Sequence, residues 1–200
     1  GDVYKRQVRE DLKQGNKDRG YQLTGFNSNK KVLLIMGGSL GSKKLNETIR
    51  ENLESLLHEY QIIHLTGKGL VDDSINKEGY VQYEFVTDDL TDLLAITDTV
   101  VSRAGANAIY EFLTLRIPML LIPLGLDQSR GDQIDNAKNF ESKGYGRHIL
   151  EDKLTQVGLI QELNDIESNR EAIINQMKTY KESYTKEDLF DKIVHDALNK

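Results

Sequence analysis

Short apolar runs that alternate with amphipathic stretches constrain the fold of this chain more than any other feature. The first run, Lys31 to Met36, is continuously apolar after its lysine, as in strands buried on both faces of a parallel sheet. Further strands are predicted over residues 61–65, 80–86, 99–101, 117–122 and 145–149. Helices are predicted from Leu45 to Leu57, over 106–115 and 132–143, and throughout the chain after Leu154. This order predicts an α/β fold with a Rossmann-like, doubly wound parallel sheet.

The domain organisation follows from the same pattern. We expect one Rossmann-like domain over residues 25–165, preceded by a helical segment within residues 1–24 and followed by C-terminal helices over residues 166–200. The last predicted helix, about Lys186 to Leu198, carries an apolar stripe. That stripe is expected to pack on its own domain or to reach toward another one.

Composition excludes several classes of site. The chain has no cysteine, which rules out disulfides, Cys-ligated zinc, iron–sulfur clusters and thiol nucleophiles. Its net charge of −6 argues against a nucleic-acid partner. No apolar run reaches the roughly 20 residues that span a bilayer, and no signal peptide is visible, so a cytoplasmic location is expected. The four histidines form no metal-binding motif and no Asp-x-Asp occurs, so no metal site is predicted, and His64 is expected to be a strand residue.

A glycine-rich loop, Gly37-Gly38-Ser39-Leu40-Gly41, follows the first strand and precedes a helix. Glycines permit a tight turn and a close approach to a ligand, and a helix start offers free N–H groups, so the loop is a candidate diphosphate site. The alternative is an ordinary tight turn. The loop lacks G-x-G-x-x-G and G-x-x-x-x-G-K-[ST], which disfavours nicotinamide or flavin binding and NTPase activity.

Two further loops carry polar groups where a ligand is expected. The run from Ser102 to Glu111 is rich in small residues, and the Glu111 carboxylate can accept two hydrogen bonds from a vicinal diol such as ribose. Alternatively, Glu111 is a first-turn glutamate favoured by the helix dipole. The run from Leu124 to Gln133 can address sugar hydroxyls through its Asp, Gln and Arg side chains, or it is a solvated loop with a helix cap.

Taken in order and spacing, these three loops resemble the MurG family of glycosyltransferases, and most of all its Gram-positive members. The resemblance begins at Val8 and covers only the C-terminal, donor-nucleotide half of a two-domain GT-B fold. It implies an inverting, metal-independent hexosyltransferase without a cofactor. Such an enzyme transfers GlcNAc from UDP-GlcNAc to lipid I, making lipid II for peptidoglycan and so for cell shape and division. It also implies a peripheral position on the cytoplasmic face of the membrane.

The resemblance implies roles for individual residues. Arg9 and Ser39 would contact the diphosphate, Val86 the uracil through its backbone, Glu111 the ribose, and Asp132 and Gln133 the GlcNAc hydroxyls. Supporting loop residues would be Gly37, Gly38, Gly41, Ala106, Asn107 and Ala108. Residues 1–7 do not resemble the family and are expected to be a foreign end. The catalytic base, the lipid I site and the membrane contact are expected in the N-terminal half, so this chain alone is expected to be inactive.

Three other functions stay open at this point. One is a different GT-B transferase for UDP-sugars, such as a diacylglycerol glucosyltransferase, which the loop from Leu124 to Gln133 would distinguish through its sugar contacts. Another is a non-catalytic nucleotide-binding module. The third is a nicotinamide-dependent dehydrogenase, which the glycine spacing disfavours.

Overall fold

A six-stranded, all-parallel sheet forms the centre of the computed structural model, which describes residues 11–38 and 41–180. The sheet order is β3-β2-β1-β4-β5-β6. The strands are β1 Lys31–Met36, β2 Tyr60–Leu65, β3 Tyr80–Tyr83, β4 Thr99–Ser102, β5 Met119–Leu121 and β6 Gly146–His148. This is the Rossmann-like order, with its reversal between β1 and β4, and it confirms the predicted fold class.

Helices connect the strands on both faces of the sheet. They are α1 Lys17–Thr24, α2 Lys43–Glu51, α3 Leu53–Glu59, α4 Leu90–Ala95, α5 Ala106–Leu115, α6 Asp132–Ser142 and α7 Gln156–Ser168. A short 3-10 helix covers Glu151–Lys153, and residues 170–180 are helical. No helix of the described ranges is both long and apolar enough to cross a membrane.

Local chemistry explains where the elements differ from prediction. The helix predicted from Leu45 to Leu57 is divided at Asn52, whose side-chain amide donates to the carbonyl of Thr48 at 2.9 Å. Such side-chain bonds compete with the helical backbone pattern. Strand β5 is shorter than predicted, and Pro118, which has no N–H group to donate, immediately precedes it.

The short helix α4 was not predicted. It depends on contacts with α1, where Arg19 forms ion pairs with Asp89 and Asp92. Gly20 of α1 packs so closely on α4 that a Cβ there would lie 2.5 Å from the carbonyl oxygen of Asp92. These contacts link residues about 70 positions apart, which local sequence patterns do not report.

The core lies between the sheet and its helices. Val32 to Ile35 of β1 are fully buried, as are Ile62 and Ile63 of β2. Central strands buried on both faces match the continuous apolar runs in the sequence. Helix α7 runs across residue 165, where a boundary is predicted, so the division into residues 1–24, 25–165 and 166–200 stays a prediction. The helix predicted from Lys186 to Leu198 lies outside the described residues.

Candidate functional site

The candidate site lies at the carboxyl edge of the sheet, beside the point where the strand order reverses. The loops after β1, β4 and β5 all leave this edge. Backbone hydrogen bonds connect the starts of these loops. Arg103 N donates to Met36 O at 3.3 Å, and Ile122 N donates to Ser102 O at 2.8 Å. Ligands of doubly wound sheets bind at such a reversal point. The structure thus brings the three predicted motifs to one edge.

The glycine loop after β1 uses its glycines in two ways. Gly41, with φ +73°, packs against the loop after β2, so that a Cβ would lie 2.2 Å from the carbonyl oxygen of Thr66. Gly38 has φ +87°, and a Cβ there would meet no described atom within 4 Å. Gly37 is also tightly placed, because a Cβ there would lie 2.9 Å from Ser42 N. The loop is therefore packed on one side and open at Gly38, while Ser39 lies outside the described residues.

Among the helices that start at this edge, α2 and α5 differ in their free amides. At α2, the Ser42 side chain accepts from Leu45 N at 3.2 Å and occupies one donor. At α5, the N-cap residue Gly105 provides no side-chain cap. Ala106 and Asn107 are exposed at its first turn. An uncapped helix start presents several N–H groups and a partial positive charge, so α5 offers the more open anion-binding end of the two.

Glu111 is half-buried, and its carboxylate has no hydrogen bond or ion pair with any residue of the described ranges. Burial raises the pKa of its carboxyl group above the usual value. Because α5 begins at Ala106, Glu111 lies in the second turn, and no acidic residue occupies the first. The dipole interpretation loses support, since that effect is confined to the first turn. A half-buried carboxylate without a partner is a suitable acceptor for ligand hydroxyl groups.

The loop after β5 is organised by side chains of α6. Gln133 Oε1 accepts from Leu124 N at 3.0 Å and from Ala104 N at 3.3 Å. Asn136 Nδ2 donates to Ala104 O at 3.1 Å. Asp132 is exposed at the first position of α6. The amide nitrogen of Gln133 and the carboxylate of Asp132 are therefore among the groups that this edge can offer to a ligand.

Val86 lies apart from these three loops, in a small cleft after β3. The cleft has a volume of about 230 Å³ and is lined by Leu23, Tyr83, Phe85, Val86, Thr87, Asp88, Asp89 and Leu93. Phe85 is 59% exposed there. Because β3 ends at the same edge as β1 and β4, an elongated ligand can extend from the glycine loop toward this cleft.

His64 is a strand residue, as predicted, and not a base. It is fully buried in β2, with Nδ1 at 2.7 Å from the Tyr80 hydroxyl and Nε2 at 2.8 Å from Asn46 Oδ1. The amide oxygen can only accept, so Nε2 carries the proton and Nδ1 accepts from Tyr80. Burial, helped by the charge of Arg50, lowers the pKa of His64 to about 3. Across residues 11–38 and 41–180, no cluster of His, Asp or Glu could hold a metal ion.

Sequence reasoning gave no role to three residues that shape this edge: Arg103, Glu151 and Asn136. Arg103 is only 8% exposed and pairs with Glu151 at 2.9 Å. The polar spacing of Gln133 and Asn136 on one face of α6 was the available signal for Asn136. No local signal identifies Glu151, which is 48 residues from Arg103. Arg9, the other predicted diphosphate contact, lies outside the described residues.

Comparison with known proteins identifies the family to which this domain is similar. Residues 32–193 match the glycosyltransferase family 28 C-terminal domain. The chain is 86% identical over 193 residues to the UDP-N-acetylglucosamine–N-acetylmuramyl-(pentapeptide) pyrophosphoryl-undecaprenol N-acetylglucosamine transferase of Staphylococcus epidermidis. It is 72% identical over 192 residues to the protein of the same name from Staphylococcus aureus. Each match covers 96% of this chain and 54% of the relative, so the chain spans about half the length of these curated relatives.

Solved structures agree with the sequence relatives. The crystal structure of Acinetobacter baumannii MurG matches with a TM-score of 0.61 and 25% identity, over 79% of this chain and 47% of that one. The glycosyltransferase of kitacinnamycin matches with a TM-score of 0.64 at 21% identity, over 75% of this chain and 38% of that one, which supports the fold alone. The chain therefore belongs to glycosyltransferase family 28, of which it carries the C-terminal domain.

Proposed function

We propose that this chain is the donor-binding part of a transferase that moves GlcNAc from UDP-GlcNAc to lipid I, producing lipid II. The observation that carries the proposal is the 86% identity to a transferase of that name over a stretch that includes every loop of the site. In this proposal, the part of the relatives that this chain does not span binds the acceptor, contacts the membrane and supplies the catalytic base. The enzyme would work peripherally at the cytoplasmic face of the membrane.

The ribose is assigned to Glu111. Its carboxylate is half-buried and has no partner among the described residues, so it pays the cost of burial without a compensating contact in the free protein. Two vicinal hydroxyls supply the missing donors. Hydrogen bonds to a charged group contribute about 1.5–3 kcal/mol each, so the ribose diol is a substantial part of the expected affinity.

The diphosphate is assigned to backbone amides at the start of α5 and to the glycine loop. Ala106 and Asn107 lie at an uncapped helix start, and Gly38 leaves open space beside the loop. These groups are held by the fold before the ligand arrives, which is the condition for effective stabilisation of developing charge. Ser39 and Arg9 complete the diphosphate site in the proposal, together with Gly37 and Gly41, which shape the loop.

The two ends of the donor, the uracil and the GlcNAc, are assigned to opposite sides of the diphosphate site. The uracil would lie in the cleft at Val86, and the GlcNAc would contact Asp132 and the amide nitrogen of Gln133. Asn107 and Ala108 would line the space between them. This arrangement places the bond to be broken near the start of α5, where the amides point.

The reaction then needs few groups from this chain. An acceptor hydroxyl attacks the anomeric carbon of GlcNAc, its proton passes to a base, and a new C–O bond forms with inversion. The bond between the sugar and the diphosphate breaks, and UDP leaves with the bonding electrons. The role of this chain is to orient the donor and to stabilise the negative charge on the departing UDP.

Glu111→Ala tests the assignment of the ribose. UDP should bind the variant at least about 100-fold more weakly, because two hydrogen bonds of about 1.5–3 kcal/mol each are lost. The 2′,3′-dideoxy analogue of UDP should bind the variant and the unaltered chain with the same Kd, since it lacks the hydroxyls. Calorimetric titration of the 200-residue chain measures both. Equal losses for the two ligands would remove Glu111 from the ribose site.

A further inference from the structure

One carboxylate oxygen joins the segments that follow β1, β4 and β6 at the carboxyl edge of the sheet. Glu151 Oε1 accepts from Arg103 Nη2 at 2.9 Å and from Ser42 Oγ at 3.0 Å. Arg103 Nη1 in turn donates to the carbonyl oxygen of Ile122 at 3.2 Å. Glu151 lies in the 3-10 helix after β6, Arg103 after β4, Ile122 after β5, and Ser42 after the glycine loop. We call Arg103, Glu151 and Ser42 the loop bridge.

The loop bridge orients the start of α2. Hydrogen bonds from Arg103 and Ser42 and the positive charge of Arg103 outweigh the opposing effect of burial, and lower the pKa of Glu151. An ionised carboxylate only accepts hydrogen bonds, so the Ser42 hydroxyl must point its proton toward Glu151. Its lone pairs then face Leu45 N, which donates to Ser42 Oγ at 3.2 Å. One hydroxyl thus links the loop to Glu151 and caps the helix that follows the loop.

Stability alone does not explain the loop bridge. The side chains of Arg103 and Glu151 are 10% and 20% exposed, and a pair buried to that degree gains little net free energy over apolar packing. Arg103 Nε is moreover buried without a hydrogen-bond partner among the described residues. Polar networks of this kind define one arrangement of the groups that they join. Here the groups are loops that meet where a ligand binds.

We propose that Glu151 is a positioning residue, which acts through Ser42 and Arg103 to hold the glycine loop and the loop after β4 at the separation that a donor diphosphate requires. The inference rests on the proposed function, because it takes the diphosphate site from there. Glu151 need not touch the ligand. Its effect is confined to the diphosphate, since the uracil cleft at Val86 and the Glu111 carboxylate make no contact with the loop bridge.

The test compares UDP with uridine, which shares the base and the ribose but lacks the diphosphate. In Glu151→Ala, the Kd of UDP should rise about tenfold, because displaced donors lose much of their effect. The Kd of uridine should change less than about twofold. Ser42→Ala, which leaves the ion pair of Arg103 and Glu151 in place, should show the same selective loss even if Glu151→Ala folds poorly. Glu151→Gln keeps an acceptor oxygen and should retain most of the preference for UDP.

Glu162→Ala is the matched control. Glu162 of α7 is 21% exposed and pairs with Arg147 of β6 at 2.6 Å, and neither residue belongs to the loop bridge. Glu162→Ala removes a carboxylate of similar exposure from an ion pair and should leave the ratio of the two Kd values unchanged. An unchanged ratio in Glu151→Ala and Ser42→Ala, or equal losses for UDP and uridine, would overturn the positioning role. Failure of the unaltered chain to bind UDP would instead refute the proposed function, and the inference with it.

Discussion

Two glycines of the same loop should respond differently to alanine. Both Gly38 and Gly41 have positive φ, which costs an L-residue about 1–2 kcal/mol. A Cβ at Gly38 would meet no atom of the described residues within 4 Å, so Gly38→Ala should lower the free energy of unfolding by about that amount. A Cβ at Gly41 would lie 2.2 Å from Thr66 O, which is backbone and cannot rotate away. Overpacking adds about 1–3 kcal/mol, for a total of about 2–5 kcal/mol in Gly41→Ala.

Urea unfolding followed by circular dichroism measures the loss of stability in both variants. Calorimetric titration with UDP measures how each variant binds the ligand. Gly38→Ala should weaken UDP binding although it folds well, because its methyl group occupies the space beside the loop where the diphosphate is proposed to lie. Gly41→Ala should be the less stable variant by at least about 1 kcal/mol. Equal stability of the two variants, or unaltered UDP affinity in Gly38→Ala, would refute this account of the loop.

The remaining predictions concern titrating and ligand-facing groups. Burial raises the pKa of Glu111 in the folded chain, so the folded state binds the proton more tightly and stability falls as pH rises through that pKa. Glu111→Gln should therefore melt at a higher temperature at pH 7 while binding UDP more weakly. The pKa of His64 is lowered to about 3, so the folded state should lose stability as the pH falls from about 6.5 toward 3. This loss should be smaller in His64→Gln, and urea unfolding at several pH values measures it. Asp132→Ala should reduce the preference for UDP-GlcNAc over UDP in calorimetry, because a sugar contact is removed.

Strong local patterns predicted the centre of the fold well. The bounds of β1 and α5 agree with the sequence analysis because an apolar run ends at glycine in one case and small residues precede a helix in the other. Helix α4 escaped prediction because its six residues depend on Arg19 of α1 rather than on their own periodicity. The break at Asn52 was missed because apolar spacing continues across it while the side chain bonds to Thr48.

The loops that form the candidate site could be predicted from the sequence, but the contacts between them could not. Glycine-rich and small-residue motifs after strands indicate a ligand edge, since parallel strands carry their carboxyl ends together. They do not show that the Gln133 carbonyl is occupied by two backbone amides of neighbouring loops. Nor do they show that Ser42 and Glu151, 109 residues apart, are hydrogen-bonded. Such contacts arise from the tertiary arrangement, and sequence spacing carries no signal for them.

Titration of the 200-residue chain with UDP in the presence of EDTA tests the central claim most directly. If backbone amides at the start of α5 and in the glycine loop hold the diphosphate, UDP binds with a 1:1 stoichiometry and its Kd does not change when Mg²⁺ replaces the chelator. Binding that appears only with Mg²⁺, or UDP bound no more tightly than uridine under both conditions, would contradict it.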